Sequence, residues 1–287
     1  MTHYASAFGY QWKLYQRTQL DSYTGAHYSR ERLERCLGAS LESLRGKRVL
    51  EVGCGAGRFT EWLVRFSFRL TCLEPSDAVV ANAANCKKLG SYAICRADIN
   101  HSPLMPESYD VVICLGVIQH TPSPEQTIRD LARHVAPGGL VVIDHYTYRS
   151  RFSPITQRLT LRYPLRAILR RVARRRPDVS VWITQKIVAV CDPIRRHTCH
   201  YPLLDNIISR VLPSNCYYAI YPKVPPEIVR EWNELDTHDS LTDWYKHHRT
   251  PSQIRATLEA VGLTDITCSR AGNGVEARGR KPISSLQ

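Results

Sequence analysis

A glycine-rich turn between an apolar strand and a helix is the feature that most constrains this chain. Val49-Leu50-Glu51-Val52 has the pattern of the strand, and Gly53-Cys54-Gly55-Ala56-Gly57 follows it, directly before Arg58. Alternating glycines let the backbone turn tightly and approach a ligand without intervening side chains. A dinucleotide-binding turn has the spacing GxGxxG, which requires a small residue where Arg58 stands. The nearby Glu51 also favours a cationic ligand over a pyrophosphate.

Strands and helices alternate through residues 46–148, a pattern that indicates a parallel sheet covered on both faces. The predicted strands cover residues 47–52, 69–73, 92–96, 109–115 and 140–143, the last following a turn at Pro137-Gly138-Gly139. Helices are predicted from residue 58 to 64, from 78 to 89 and from 124 to 135.

Regular structure resumes near the C-terminus. Thr250-Pro251 offers a capping side chain and a proline at the first helical position, so a helix is predicted from there to residue 261. Residues 263–269 and 275–278 flank the turn Gly272-Asn273-Gly274 and are predicted to form a hairpin.

Two acidic residues at strand ends add to the pattern. Glu74 ends the second predicted strand, 21 residues after Gly53, and Asp98 follows the third. With the glycine turn, these positions resemble the class I S-adenosylmethionine-dependent methyltransferases. The resemblance implies an α/β, Rossmann-like, doubly wound, mostly parallel seven-stranded sheet with a terminal antiparallel hairpin and an inserted helical cap.

The resemblance also implies a cofactor, S-adenosyl-L-methionine, and roles for individual residues. Glu51 would lie near the amino-acid end of the cofactor, Glu74 would accept hydrogen bonds from the ribose hydroxyls, and Asp98 would read the adenine amino group. The residues implied to bind the cofactor are Glu51, Gly53, Cys54, Gly55, Glu74, Pro75, Asp98, Ile99 and Leu115.

Motifs near both termini are similar to a bacterial subgroup of this family found near polysaccharide and natural-product clusters. They are Phe8-Gly9-Tyr10-Gln11-Trp12 and Thr18-Gln19-Leu20-Asp21, then Gly272-Asn273-Gly274-Val275 and Gly279-Arg280-Lys281-Pro282.

Four regions follow from these patterns. We predict an N-terminal helical cap over residues 1–45, a cofactor-binding core over 46–148, and an inserted helical substrate cap over 149–249. Residues 250–287 would supply the helix and hairpin that complete the core.

Three residues are candidates for a general base, which methyl transfer needs only when the acceptor must lose a proton. His120 follows the fourth strand, at the edge of the sheet where ligands bind, and its pKa class suits the role. His145 and Tyr146 follow the fifth strand. Asp144 would either orient a histidine or simply end the strand, and His120 would otherwise cap a loop or the next helix.

The inserted region carries two further groups of interest. His197, Cys199 and His200 have poor spacing for zinc, so no metal site is predicted. Aromatic and polar residues would form either the lid of an acceptor pocket or a packed structural corner; they are Trp232, Asp236, His238, Asp239, Trp244 and Tyr245.

Nearly all of the excess charge lies in one segment. Residues 149–176 hold ten arginines and no acid, and without them the formal net charge of +13 falls to +3. Within residues 161–176, Arg162, Arg166, Arg170 and Arg174 recur at helical spacing on one face. Three interpretations stay open: a solvated cap helix, contact with an anionic membrane, and RNA binding.

The sequence therefore predicts methyl transfer by in-line displacement to a small-molecule or lipid-linked acceptor, with a sugar or natural-product hydroxyl favoured. An RNA methyltransferase and a non-catalytic cofactor-binding module are the alternatives. No secretory signal or apolar run of bilayer length is visible, and the ten cysteines form no CxxC pair. We accordingly expect a cytoplasmic protein with free thiols and, at most, peripheral membrane contact.

Overall fold

A seven-stranded sheet forms the centre of the computed structural model, which describes residues 3–148 and 160–283. The strand order is β3-β2-β1-β4-β5-β7-β6, with the first five strands parallel and β7 antiparallel to both β5 and β6. This arrangement confirms the predicted fold class. The strands are β1 (Arg48–Val52), β2 (Arg69–Leu73), β3 (Ala93–Cys95), β4 (Tyr109–Cys114), β5 (Val135–Tyr146), β6 (Thr264–Ala271) and β7 (Gly274–Arg280).

The helices predicted at residues 58–64, 78–89, 124–135 and 250–261 are all present, with ends that differ by a few residues. In chain order they are α1 (His3–Leu14), α2 (Asp21–Thr24), α3 (Tyr28–Leu37), α4 (Thr60–Phe66), α5 (Ala78–Cys86), α6 (Pro124–His134), α7 (Arg162–Arg175), α8 (Pro177–Thr198), α9 (Pro202–Val211), α10 (Pro226–Thr242) and α11 (Pro251–Ala260). Helix α11 begins with the predicted cap, since the Thr250 hydroxyl accepts from the Gln253 N–H and the Gln253 side chain accepts from the Thr250 N–H.

The turn predicted before the fifth strand lies inside that strand instead. Strand β5 starts at Val135, which pairs with Tyr109, and the register shifts before Leu140 pairs with Val111. Pro137-Gly138-Gly139 fills that irregularity, with Gly138 at φ +77° and its N–H bonded to the Lys281 carbonyl at 2.8 Å. A bulge rather than a chain reversal therefore accounts for the glycines.

Both faces of the sheet are buried, as expected for strands that are apolar throughout. Leu50 and Val112 pack on one face and Val49 and Ile113 on the other. Helices α6 and α11 cover the first face, contributing Ile128, Leu131, Ile254 and Leu258, whereas α3 and α4 cover the second with Leu33, Leu37, Trp62 and Leu63. The carboxyl ends of β1, β2 and β4 are thereby held in fixed positions.

The chain divides into two compact units. One, here called the sheet unit, comprises His27–Arg149 and Tyr245–Gln287; the other, the helical unit, comprises Met1–Ala26 and Ser150–Trp244. The predicted N-terminal cap, residues 1–45, is thus shared between the two units. The roles predicted for the four sequence regions, as cap, core, substrate cap and completing hairpin, remain predictions.

Candidate active site

The glycine turn is tied to the end of the neighbouring strand. The N–H groups of Gly53 and Cys54 both donate to the Leu73 carbonyl, at 2.7 and 3.2 Å. Gly53 has φ +74°, and a Cβ at this position would overlap the side chain of Val117. The positive φ and the close approach together require glycine here. The turn therefore lies between the end of β2 and the loop that follows β4.

The Glu74 carboxylate lies directly on this turn. One of its oxygens accepts from the Gly55 N–H at 3.0 Å, and the other accepts from the Ser76 N–H at 3.0 Å and the Ser76 hydroxyl at 2.6 Å. Burial raises the pKa of Glu74, and the charge of Asp98 acts in the same direction. The structure thus brings together Gly55, Glu74 and Asp98, three residues far apart in the sequence.

Asp98 and Ile99 begin a short 3₁₀ turn after β3. The Asp98 carboxylate accepts from the Asn100 N–H at 3.0 Å and from its side-chain amide at 3.1 Å. Ile99 is buried in the cluster on the first face of the sheet, and Pro75 is half-buried beside Glu74. Asp98 therefore places its carboxylate just after the end of β3.

Glu51 is enclosed by protein groups. Its carboxylate accepts from the Thr60 hydroxyl at 2.6 Å and from the Cys72 thiol at 3.5 Å. Complete burial raises its pKa to about 7. The side chains of Cys54 and Leu115 are likewise buried, in the cluster on the second face of the sheet. These contacts connect β1 to α4 and β2, and the predicted cofactor contact of Glu51 remains a proposal.

Asp144 organises the loop after β4 rather than a histidine. Its carboxylate accepts from the Gly116 N–H at 2.6 Å and forms a buried ion pair with Arg32 of α3. Of the two roles that the sequence left open for Asp144, neither describes this arrangement. The ion pair joins α3, β5 and the β4 loop at the carboxyl edge of the sheet.

His120 and Tyr146 are neighbours, with ring centroids 5.4 Å apart in an edge-to-face arrangement. His120 is buried, and its Nδ1 lies 3.2 Å from the Tyr245 carbonyl. A carbonyl only accepts hydrogen bonds, so Nδ1 carries the proton, and Nε2 is the basic nitrogen of the neutral ring. Two predicted catalytic residues from separate strands therefore meet in one place.

His145 faces a different environment. It is fully buried, its Nδ1 donates to the Tyr146 carbonyl at 2.8 Å, and burial lowers its pKa to about 4. Its Nε2 is buried and finds no hydrogen-bond partner among the described residues. The imidazole is therefore neutral at physiological pH.

A segment that the sequence analysis did not single out crosses this region. The His247 N–H donates to the Gln119 carbonyl and the Arg249 N–H to the Tyr146 carbonyl, both at 2.9 Å. His248 stacks on Tyr148 with centroids 4.3 Å apart. The pair of histidines just before the Thr250 helix cap was the available signal, because that helix returns the chain to the sheet.

The aromatic and polar residues predicted to form one cluster in the inserted region belong to different units. Trp232 is buried and stacks on Tyr221 with centroids 4.3 Å apart. His238 bonds to the Gln11 side chain at 2.9 Å and the Ser180 hydroxyl at 3.0 Å, and burial lowers its pKa to about 4. These two residues build a packed corner of the helical unit, whereas Tyr245 belongs to the sheet unit.

His197, Cys199 and His200 lie at the end of α8. His197 and His200 are exposed, and the Cys199 thiol donates to the Arg196 carbonyl at 3.4 Å. Among residues 3–148 and 160–283, no group of three histidine, cysteine or acidic side chains is arranged to hold a metal ion.

The arginine segment forms a helix as predicted, and part of its arginine face contacts protein groups. Arg162 donates to the Ser214 carbonyl at 2.7 Å, and Arg166 pairs with the Asp243 carboxylate at 2.7 Å. The guanidinium groups of Arg170 and Arg174 lie 4.9 and 5.6 Å from the Trp244 ring centroid. Arg162 and Arg166 therefore hold α7 to the rest of the helical unit, whereas Arg174 remains exposed beside Trp244.

Comparisons with known proteins identify a family domain within the sheet unit. Residues 50–143 match the family model described as a methyltransferase domain. Ubiquinone biosynthesis O-methyltransferase of Pseudomonas entomophila is 36% identical over 102 residues, which cover 34% of this chain and 44% of that protein. The enzyme of the same name from Proteus mirabilis is 34% identical over 104 residues, covering 35% and 42%. The chain thus spans less than half the length of these relatives.

Solved structures give weaker similarities. The N-methyltransferase NodS from Bradyrhizobium japonicum, in complex with S-adenosyl-L-homocysteine, is 28% identical with a TM-score of 0.36, covering 40% of this chain and 60% of that one. A possible histamine N-methyltransferase from Thermotoga maritima is 14% identical with a TM-score of 0.48, covering 98% and 100%. The family match and the observed strand order together identify a class I S-adenosylmethionine-dependent methyltransferase domain in this chain.

Proposed function

We propose that this chain is an enzyme that transfers a methyl group from S-adenosylmethionine to a hydroxyl of a small-molecule or lipid-linked acceptor. The observation that carries the proposal is the Glu74 carboxylate, fixed on the Gly55 N–H at the end of β2 with Asp98 nearby. The curated relatives from Pseudomonas and Proteus are named as O-methyltransferases, which supports oxygen as the acceptor atom.

The residues of the turn fit such a cofactor. Gly53 has no Cβ where the chain is closest to Val117, and Glu74 and Asp98 offer carboxylate oxygens at adjacent strand ends. We assign Gly53, Cys54 and Gly55 to backbone contact, Glu74 with Pro75 to the ribose, Asp98 with Ile99 to the adenine, and Leu115 to the apolar wall. Glu51 supports the turn from beneath through Thr60. The bound cofactor supplies an electrophilic methyl group on a sulfonium centre.

His120 is the proposed general base. Its protonated Nδ1 is held by the Tyr245 carbonyl, so Nε2 is the atom that would take a proton from the acceptor hydroxyl. Tyr146, edge-on to the His120 ring, is proposed to position the acceptor. His145 is the alternative base, with a free Nε2 and a pKa lowered by burial to about 4. That low basicity favours His120 in the role.

Cofactor titration followed by a labelled-methyl screen tests the proposal. We expect the purified full chain to bind S-adenosylmethionine and S-adenosylhomocysteine in isothermal titration. Incubation with labelled cofactor should then transfer label to a saccharide, lipid or quinone-precursor fraction. Absence of cofactor binding would refute the proposal. Binding with no labelled product in any fraction would support a non-catalytic module instead, and label in RNA would identify an RNA methyltransferase.

A further inference from the structure

Helix α9 (Pro202–Val211) exposes an apolar face. None of its side chains is buried, and Leu203 and Ile207 are 84% and 60% exposed. At 100° per residue, Leu203, Leu204, Ile207 and Val211 fall on one side of the helix. Surface helices of globular proteins normally turn such a side inward. This helix therefore presents a row of aliphatic side chains outward.

The polar side of the same helix is the side that faces the protein. Asp205 pairs at 2.8 Å with Arg195, a buried residue of α8. Asp205 is two positions from both Leu203 and Ile207, so its side chain projects from the far side of the helix. The ion pair thus fixes the orientation in which the aliphatic side chains point away from α8.

Helix α8 carries a second exposed apolar row. Trp182, Val190 and Ile194 are exposed and recur at multiples of one helical turn. Lys186 lies between them, with its ammonium group 5.8 Å from the Trp182 ring centroid. Aliphatic side chains edged by tryptophan and a basic residue are the composition of helices that lie at a bilayer interface.

Unpaired basic charge is available on α7. Arg171 and Arg175 are exposed and one turn apart, and neither pairs with an acid in the part of the chain that the structure describes. They differ in this from Arg162 and Arg166, whose guanidinium groups bind the Ser214 carbonyl and Asp243. The helical unit therefore combines an exposed apolar surface with free cationic groups.

We propose that the helical unit docks on an anionic lipid surface, with the aliphatic face of α9 inserted at the interface. The charge favours an anionic lipid surface over a protein partner, because Arg171 and Arg175 are exposed and pair with no acid among the described residues. No helix within the described residues has the length and apolar character needed to span a bilayer, so contact would be lateral. The inference does not depend on the proposed methyl transfer.

Vesicle co-sedimentation of the full chain tests the docking surface, with phosphatidylcholine vesicles that contain or lack phosphatidylglycerol. We expect binding to the anionic vesicles. The double variant Leu203→Ser with Ile207→Ser should bind at least about tenfold more weakly, since it removes two inserted aliphatic side chains. Arg171→Gln with Arg175→Gln should bind about tenfold more weakly to anionic vesicles only. Val80→Ser with Met105→Ser, two exposed apolar residues of the sheet unit, is the matched control and should bind as the wild type does.

All three variants change exposed side chains, so circular dichroism should give the wild-type spectrum for each. Wild-type protein that stays in the supernatant with both vesicle types would overturn the proposal. Retained binding by the Leu203→Ser, Ile207→Ser variant would overturn it as well. A wild-type dimer that this variant abolishes, without vesicle binding, would identify a second copy of the chain as the occupant. Each assay omits cofactor and acceptor, so its failure leaves the methyl-transfer proposal unaffected.

Discussion

The sheet unit and the helical unit expose their apolar side chains very differently. In the sheet unit, the described large apolar residues that are exposed are Phe68, Val80, Met105 and Ile283, which are well separated along the chain. The helical unit exposes many more, including the rows on α8 and α9. A doubly covered sheet has an interior for its apolar residues, whereas short amphipathic helices must find a partner for theirs. The comparison distinguishes the proposed ligand site of the sheet unit from the proposed docking surface of the helical unit.

The two units also use their polar side chains differently. Glu74, Asp98 and His120 lie at or after the carboxyl ends of strands in the sheet unit, where ligands bind in open α/β sheets. In the helical unit, His238 is bonded on both ring nitrogens and Arg166 is paired with Asp243. We therefore expect substitutions in the first group to change ligand binding or turnover and those in the second to change stability.

Replacement of His120 should have the largest effect. For His120→Ala we expect turnover to fall by about 10²- to 10⁴-fold, the usual contribution of a general base, with cofactor affinity unchanged. Steady-state kinetics and isothermal titration measure the two quantities. His197→Ala, which removes an exposed histidine of the helical unit, is the control and should keep full activity. Full activity in His120→Ala would transfer the base role to another residue.

The buried Glu51 should make stability depend on pH. Its pKa is raised from 4.5 to about 7, so the unfolded chain loses this proton at lower pH than the folded protein does. The free energy of unfolding should therefore fall as pH rises from about 4.5 to 7, by about 3 kcal/mol from this group.

Urea denaturation across this pH range, compared between wild type and Glu51→Gln, isolates the contribution of Glu51. The variant keeps an acceptor for Thr60 but cannot ionise, so its stability should lose this pH-dependent decrease. Glu227→Gln, an exposed acid of the helical unit, should behave as the wild type. Parallel pH profiles for wild type and Glu51→Gln would contradict the assignment.

Glu74→Ala should weaken cofactor binding by about 1.5–3 kcal/mol, because the ribose hydroxyls would lose a charged hydrogen-bond acceptor. Isothermal titration with S-adenosylhomocysteine measures the change. Glu227→Ala in the helical unit is the matched control and should retain wild-type affinity. An unchanged affinity in Glu74→Ala would remove this residue from the cofactor site and weaken the contrast between the two units.

His238→Leu should show the smallest effect, confined to stability. The variant loses hydrogen bonds to Gln11 and Ser180, and we expect the free energy of unfolding to fall by about 1–3 kcal/mol. Urea denaturation measures this loss, and cofactor affinity should be unaffected. A change in cofactor affinity without a change in stability would instead assign His238 to the cofactor site.

Much of the sheet unit was predictable from the sequence because its signals are local. The apolar strands, the glycine turn and the Thr250 helix cap each depend on neighbouring residues, and each is found within a few positions of its predicted place. The bulge at Pro137-Gly138-Gly139 was not predictable, since it depends on the pairing of β5 with β4. Local patterns specify that a turn exists but do not specify its strand partner.

The partners of the charged residues were not predictable. The arginine face of α7 has the periodicity of a solvated helix, yet Arg162 and Arg166 bind groups 52 and 77 residues away in the sequence. Asp144 likewise pairs with Arg32, 112 residues earlier. Helical spacing gives the direction of a side chain relative to its own helix and contains no information about the distant segment that it meets.

The sequence by itself determined the local elements of the sheet unit. These are the apolar strands, the alternating helices, a turn that only glycine can form, and the acids at strand ends. Only the tertiary structure decided which of these acids meet the turn, that residues 245–249 cross the His120 region, and that α9 faces outward. The physical reason is the sequence distance over which each interaction acts. Backbone propensity and capping act over a few residues, whereas burial and ion pairing depend on segments that the fold brings together.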